Sequence, residues 1–182
     1  MKPKRIVLSG GPGSGKTTLI NHIETKGHVC FHEISRAVTA AAQKEGTAQL
    51  FLARPLLFSE KLLEGRYSQF TEAGNFNAPC VFYDRGLPDV TSYMDYLGTR
   101  YPARFSQYCM QHRYDHVFLL PPWGAIYEKD NERYESFAEA EKIYSFLLKG
   151  YKKYNYAPTQ VPTGTVAART QFIFETLSLY SL

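Results

Sequence analysis

No stretch of this chain is apolar for long enough to cross a bilayer, and its first residues carry no apolar leader. A cytoplasmic protein without integral membrane association is therefore expected. Cysteine is scarce: Cys30, Cys80 and Cys109 are scattered and odd in number, which excludes a disulfide framework and predicts reduced thiols. The five histidines, His22, His28, His32, His112 and His116, have no ligand spacing and read as solvated or packed. Blocks of basic residues are missing as well. Against 17 Asp and Glu stand 21 Lys and Arg, a net charge of +4. That balance suits an anionic small ligand, while the lack of a basic stripe argues against a nucleic-acid partner. Repeats, low-complexity segments and linkers are absent, so residues 1–182 read as a single domain. What the chain does have is 44% hydrophobic and 15% aromatic residues, with 14 Tyr, a composition that can bury a real core.

The most informative stretch is Gly10-Gly11-Pro12-Gly13-Ser14-Gly15-Lys16-Thr17-Thr18, which fits G-x-x-x-x-G-K-[ST]. It follows the apolar run Arg5-Ile6-Val7-Leu8-Ser9 and precedes Leu19-Ile20-Asn21-His22-Ile23, which reads as helix. Strand, glycine loop and helix in that order are the context the motif requires. Glycines let successive backbone N–H groups point at phosphate oxygens, and the helix N-terminus adds roughly half a unit of positive charge. Gly10, Gly11, Gly13, Ser14, Gly15, Lys16, Thr17 and Thr18 are thus expected to bind the phosphates of ATP (or GTP). Lys16 would reach the β- and γ-phosphates, and the Thr17 hydroxyl would bind Mg²⁺.

Along the rest of the chain strands alternate with helices, which implies a parallel sheet covered on both faces. Strands are expected at about 5–9, 28–32, 80–83, 116–120 and 156–161. Helices are expected from the glycine loop to about 25, from about 33 until Gly46 breaks them, and then over 48–72, 88–97, 102–112, around 140–151 and after Gly164. Ligands of such sheets bind beyond the carboxyl ends of the strands. The glycine loop, Glu33, Asp84-Arg85, the segment around Arg133 and the turn Pro162-Thr163-Gly164 all fall at such ends.

Each of these features has two readings on residue type alone. Glu33 could take a proton from a substrate hydroxyl while Arg36, three residues on, holds an anionic substrate group, or the two could form a surface ion pair at a helix start. Asp84 could hold Mg²⁺ and Arg85 could grip the transferring phosphate, or they could satisfy each other. Arg133 could close over a triphosphate, or belong to an ordinary charged segment whose acids Glu128, Glu132 and Glu135 offset it.

Four further stretches carry a family resemblance: His32-Glu33-Ile34-Ser35-Arg36; Tyr83-Asp84-Arg85-Gly86-Leu87-Pro88-Asp89; Pro121-Pro122-Trp123 to Asp130 and Arg133; and Val161-Pro162 to Arg169 before Phe172-Ile173. Together they resemble the NadR-like AAA-type ATPase/kinase domains, relatives of the nicotinamide riboside kinase domain of bacterial NadR, over nearly the whole chain. The resemblance implies an α/β three-layer P-loop NTPase fold of nucleoside/nucleotide-kinase type. Its sheet would be five-stranded and parallel, with helices on both faces and a short lid at about 123–135. It implies that Glu33 contacts the hydroxyl to be phosphorylated, that Asp84 and Arg85 form the pair at the third strand, and that Arg133 is the lid arginine. Pro162 and Thr163 would lie where the nucleotide base sits. No adenylyltransferase domain accompanies the motifs, so a role in NAD synthesis does not follow.

Two functions are expected from this. The first is an ATP-dependent kinase acting on a hydroxyl of a small nucleoside-like metabolite. Its catalytic residues would be Lys16, Glu33, Arg85 and Arg133, its acceptor site Glu33, Arg36, Asp84 and Arg85, and its Mg²⁺ ligands Thr17 and Asp84. The second is a regulatory ATP/GTP-binding module with slow hydrolysis and nucleotide-dependent partner or lipid binding, as in some eukaryotic relatives. A guanine-reading N/T-K-x-D is missing after the fourth strand, where the chain reads Leu120-Pro121-Pro122.

Overall fold

Alternate residues of the central strands bury themselves on opposite faces, which sets up three layers. The strands are β1 (Lys4–Gly10), β2 (Val29–Phe31), β3 (Cys80–Asp84), β4 (His116–Leu120) and β5 (Thr159–Gln160). They form one parallel sheet in the order β2-β3-β1-β4-β5. The computed structural model describes residues 2–126 and 136–179. Between the strands run α1 (Lys16–Thr25), α2 (Ser35–Lys44), α3 (Leu50–Ala53), α4 (Pro55–Glu72), α5 (Leu87–Tyr96), α6 (Ala103–Gln111), α7 (Phe137–Lys153) and α8 (Val166–Thr176).

On one face Val7, Val81, Tyr83 and Val117 pack under Leu62 and Leu63 of α4, Val90 and Met94 of α5, Phe105 of α6 and Tyr151 of α7. On the other, Ile6, Leu8, Phe82, Phe118 and Leu120 pack against Leu19, Ile20 and Ile23 of α1 and Ile173 and Phe174 of α8. Burial on both faces is why these strands read as unbroken apolar runs. Helices α5 and α7 approach closely. A Cβ at Gly150 would stand 1.9 Å from the Ser92 hydroxyl oxygen, so a side chain there would force the helices apart. The five-stranded parallel sheet with helices on both faces is the expected P-loop architecture. Among the described residues no helix is long and apolar enough to cross a membrane.

Three boundaries differ from the sequence reading. The helix expected over 48–72 is two helices, because Pro55 forces Arg54 out of helical geometry, to φ −144° and ψ 69°. The helix after β2 starts at Ser35, leaving Glu33 outside it. The last strand shrinks to Thr159–Gln160 because Tyr156 turns inward, and its hydroxyl accepts the Tyr114 N–H at 3.1 Å. Arg133 and most of the 123–135 lid lie outside the described residues.

The order places β1 at the centre, with β3 and β4 reached by crossovers in opposite directions. The crevice beyond the carboxyl ends of β1 and β3 is where such a sheet opens to ligand.

Candidate active site

β1 ends at Gly10, whose φ is 159° and whose added Cβ would meet the Leu120 carbonyl at 2.6 Å. No other residue fits that exit from the sheet. Gly13 (φ 68°) and Gly15 (φ 75°) then turn the loop through left-handed geometry that glycine adopts freely. Inside the loop Ser14 Oγ donates to the Gly11 carbonyl at 2.8 Å. Lys16 Nζ curls back to the same carbonyl at 3.1 Å and to Ser14 Oγ at 3.3 Å. Burial, and then the nearby Arg85 guanidinium, push the Lys16 pKa down from 10.5 to about 8. The first turn of α1 carries no acidic side chain. Its N–H groups and partial positive charge therefore remain directed at an anion.

The opposite wall is built by the ends of β2 and β3. Glu33 Oε1 accepts the N–H groups of Ile34 and Ser35 at 2.9 and 3.0 Å, and Arg66 Nη2 of α4 reaches it at 3.3 Å. Glu33 Oε2 is paired with Arg85 Nε. Burial alone would raise the Glu33 pKa. Arg66 and Arg85, helped by the Ser35 N–H and Lys16, reverse the sign and hold it at about 2. This carboxylate stays ionised across the whole ordinary pH range.

Arg85 has a left-handed backbone (φ 75°), unusual for a side-chain-bearing residue, and its N–H donates to the Leu8 carbonyl at 3.0 Å. Backbone strain of this kind costs about 1–3 kcal/mol and persists where the surroundings enforce it. Here they do. Arg85 Nη1 donates to the Tyr93 hydroxyl at 3.2 Å and faces Asp89 Oδ1 at 3.5 Å. Asp89 is fully buried and accepts from Ser9 Oγ at 2.7 Å, the Gly86 N–H at 2.9 Å and the Tyr151 hydroxyl at 2.5 Å. Ser9 is the residue immediately before the glycine loop. Asp89 therefore ties β1, Arg85 and α7 together.

Asp84 is 4% exposed, and its Oδ1 has no hydrogen-bond partner among the described residues. Burial raises its pKa, while Lys16 and Arg85 act against that rise. Such an orphaned oxygen suits a cation, and the exposed Thr17 hydroxyl lines the same cavity. Among the described residues no cluster of three His, Cys, Asp or Glu forms a ready-made metal cage. An ion that takes one or two protein ligands and completes its shell with phosphate and water matches this donor set, as Mg²⁺ does.

One cavity of about 450 Å³ joins the two walls. It brings together Gly11, Gly13, Ser14, Gly15, Lys16, Thr17, Thr18, Glu33, Arg36, Asp84 and Arg85. Pro162 and Thr163 stand on an exposed turn outside its lining. Arg66, Asp89, Tyr93 and Arg169 join the site without having been singled out from the sequence as site residues. Arg169 sits in the Val161–Arg169 stretch, and Asp89 closes the Asp84–Asp89 stretch, where its spacing of three from Gly86 is that of a helix-capping acid. Arg66 and Tyr93 carry no local signal. A second hollow of about 400 Å³ lies at the other end of the sheet, by Lys4, Asp115 and Thr176, with no glycine loop near it.

Residues 5–169 match the model of a family described as AAA domain. No curated protein matches the chain in sequence. Among solved structures, deoxyadenosine kinase from M. mycoides with products bound superposes with a TM-score of 0.72 at 18% identity, covering 97% of this chain and 100% of that one. A NadR protein in complex with NR gives 0.73 at 16% identity, covering 99% of this chain and 52% of that one, so the chain spans about half of that protein. Thymidylate kinase from Candida albicans gives 0.72 at 14% identity, covering 97% and 92%. The shared fold is that of P-loop nucleoside and nucleotide kinases.

Proposed function

The chain belongs to this AAA-domain family and has the fold of the NadR-like kinase domains, and we propose that it is an ATP-dependent kinase phosphorylating a hydroxyl of a small nucleoside-like metabolite. The observation that carries this reading is the shared cavity: a triphosphate loop on one wall faces Glu33, Arg36 and Arg85 on the other. The wall across from the loop is where the acceptor would be held, with its hydroxyl toward the donor phosphates. The deoxyadenosine kinase and thymidylate kinase folds are consistent with nucleoside-like acceptors, and the chain is read as one unit whose 123–135 segment serves as the lid.

Phosphoryl transfer passes through a loose transition state, so it needs positioning and charge stabilisation more than covalent chemistry. In this reading the loop N–H groups and Lys16 hold the donor phosphates, and Pro162 and Thr163 lie beside the base. Thr17 and Asp84 would hold Mg²⁺, which supplies positive charge to the phosphate oxygens. Glu33 accepts a hydrogen bond from the acceptor hydroxyl and aims its oxygen. With a pKa near 2 it is too weak a base to remove that proton early. Arg85 and the lid residue Arg133 neutralise the charge spread over the moving group, and Arg36 meets the more distant part of the acceptor.

The test is a metabolite screen with γ-labelled ATP and GTP, with Lys16→Ala as the blank. Label in an organic product supports the kinase. Label released only as free phosphate across all acceptors favours the regulatory reading.

A further inference from the structure

Arg169 is a buried cation that no carboxylate answers among the described residues. It lies on α8, is 3% exposed, and forms no ion pair among the described residues. Its Nε has no hydrogen-bond partner among the described residues. Burial draws its pKa down, with no acid acting to raise it. Desolvating a guanidinium without a counter-charge is costly, so a fold that keeps one is a fold in which something else completes it.

What it touches is the glycine loop. Arg169 Nη2 donates to the Ser14 carbonyl at 3.0 Å. Its Nη1 lies 2.9 Å from where a Cβ on Gly15 would stand, so the guanidinium is seated directly against the loop. The Ser14 carbonyl and the Gly15 N–H belong to one planar trans peptide and point in opposite directions. Holding that carbonyl toward α8 turns the Gly15 N–H the other way, away from α8, and Gly15 lines the cavity. The same contact leaves a full positive charge directly behind the loop.

We propose that Arg169 is a second fixed cation of the phosphate site, acting through the Ser14–Gly15 peptide: it aims the Gly15 N–H at a bound triphosphate, and the triphosphate supplies a counter-charge that none of the described residues provides. Arg169 is on this account a positioning residue, on the helix that follows the Pro162-Thr163 turn. The inference rests on the nucleotide-binding reading above.

The test titrates ATP, ADP, AMP and adenosine into the parent, Arg169→Met and Arg169→Lys by calorimetry, and records the melting temperature of each ligand-free chain. Arg169→Met is expected to weaken ATP by about tenfold or more, as for loss of one charge-assisted contact. The loss shrinks through ADP and AMP and vanishes for adenosine. Its ligand-free melting temperature holds or rises, because an uncompensated charge has been removed. Arg169→Lys keeps the charge, loses the fork and falls between. Three results overturn the inference: an unchanged ATP affinity, an equal loss for all four ligands, or a ligand-free chain that melts lower or does not fold. A parent that binds none of the four sinks the nucleotide reading itself, and this inference with it.

Discussion

Arg85 Nε is paired with Glu33 Oε2 inside the cavity, while Arg66 takes the other carboxylate oxygen at 3.3 Å. The Glu33 carboxylate thus sits between two guanidiniums, one lining the cavity and one behind it, and its charge is fixed by them. Two stretches far apart in the chain, the ends of β2 and β3, are locked into one wall by this pair.

The pair has an acid signature. Glu33 titrates near 4.5 when unfolded and near 2 when folded, so its stabilising contribution is complete above pH 4.5 and lost as the pH falls toward 2. The melting temperature of the parent should therefore drop across that window. Glu33→Gln, lacking the titration, should show a shallower drop. Parallel curves for the two proteins would mean that the ion pair contributes nothing.

Lys16 carries a basic signature. Its pKa in the ligand-free chain is about 8, against an ordinary 10.5, and a triphosphate beside it favours the protonated form. Binding of ATP at about pH 9 should therefore take up protons, seen as a heat that depends on the ionisation enthalpy of the buffer. Affinity should fall as the pH rises through about 8. Lys16→Ala should remove the buffer dependence, and a parent whose heat is the same in every buffer would contradict the placement.

How much of this was legible beforehand follows physical lines. The β1–glycine loop–α1 unit could be read because its signals are local: an apolar run, obligatory glycines, and Lys16 at fixed spacing. Glu33, Asp84 and Arg85 could be read as strand-end residues, since the sheet carries such positions to one rim. Arg66 and Tyr93 could not, because each comes from the middle of a helix, Arg66 to the back of Glu33 and Tyr93 to the cavity itself, by the way α4 and α5 pack over the sheet. Asp89 had a capping spacing but no sign of its burial between Ser9 and Tyr151. The break at Arg54-Pro55 did carry a local signal, since the residue before a proline is pushed out of helical geometry.

Asp84 offers a stability–function trade. Its Oδ1 is buried without a partner among the described residues and burial raises its pKa, so the ionised form weighs against the ligand-free fold. Asp84→Asn should raise the ligand-free melting temperature, by about 2–4 °C if it relieves about 1 kcal/mol. It should also weaken ATP by roughly tenfold with Mg²⁺ present, while changing little in chelator. Calorimetry and melting curves with and without Mg²⁺ check both halves. A lower melting temperature with intact Mg²⁺ dependence would remove Asp84 from the metal site.

The central claim is that one cavity holds separable donor and acceptor walls. The most direct measurement compares the parent, Lys16→Ala and Glu33→Gln for ATP affinity and for the rate of γ-phosphate transfer to the acceptor found by screening. The account expects Lys16→Ala to lose both, and Glu33→Gln to bind ATP within about twofold of the parent while transfer falls by about a hundredfold or more. A Glu33→Gln chain that transfers phosphate as fast as the parent would contradict it.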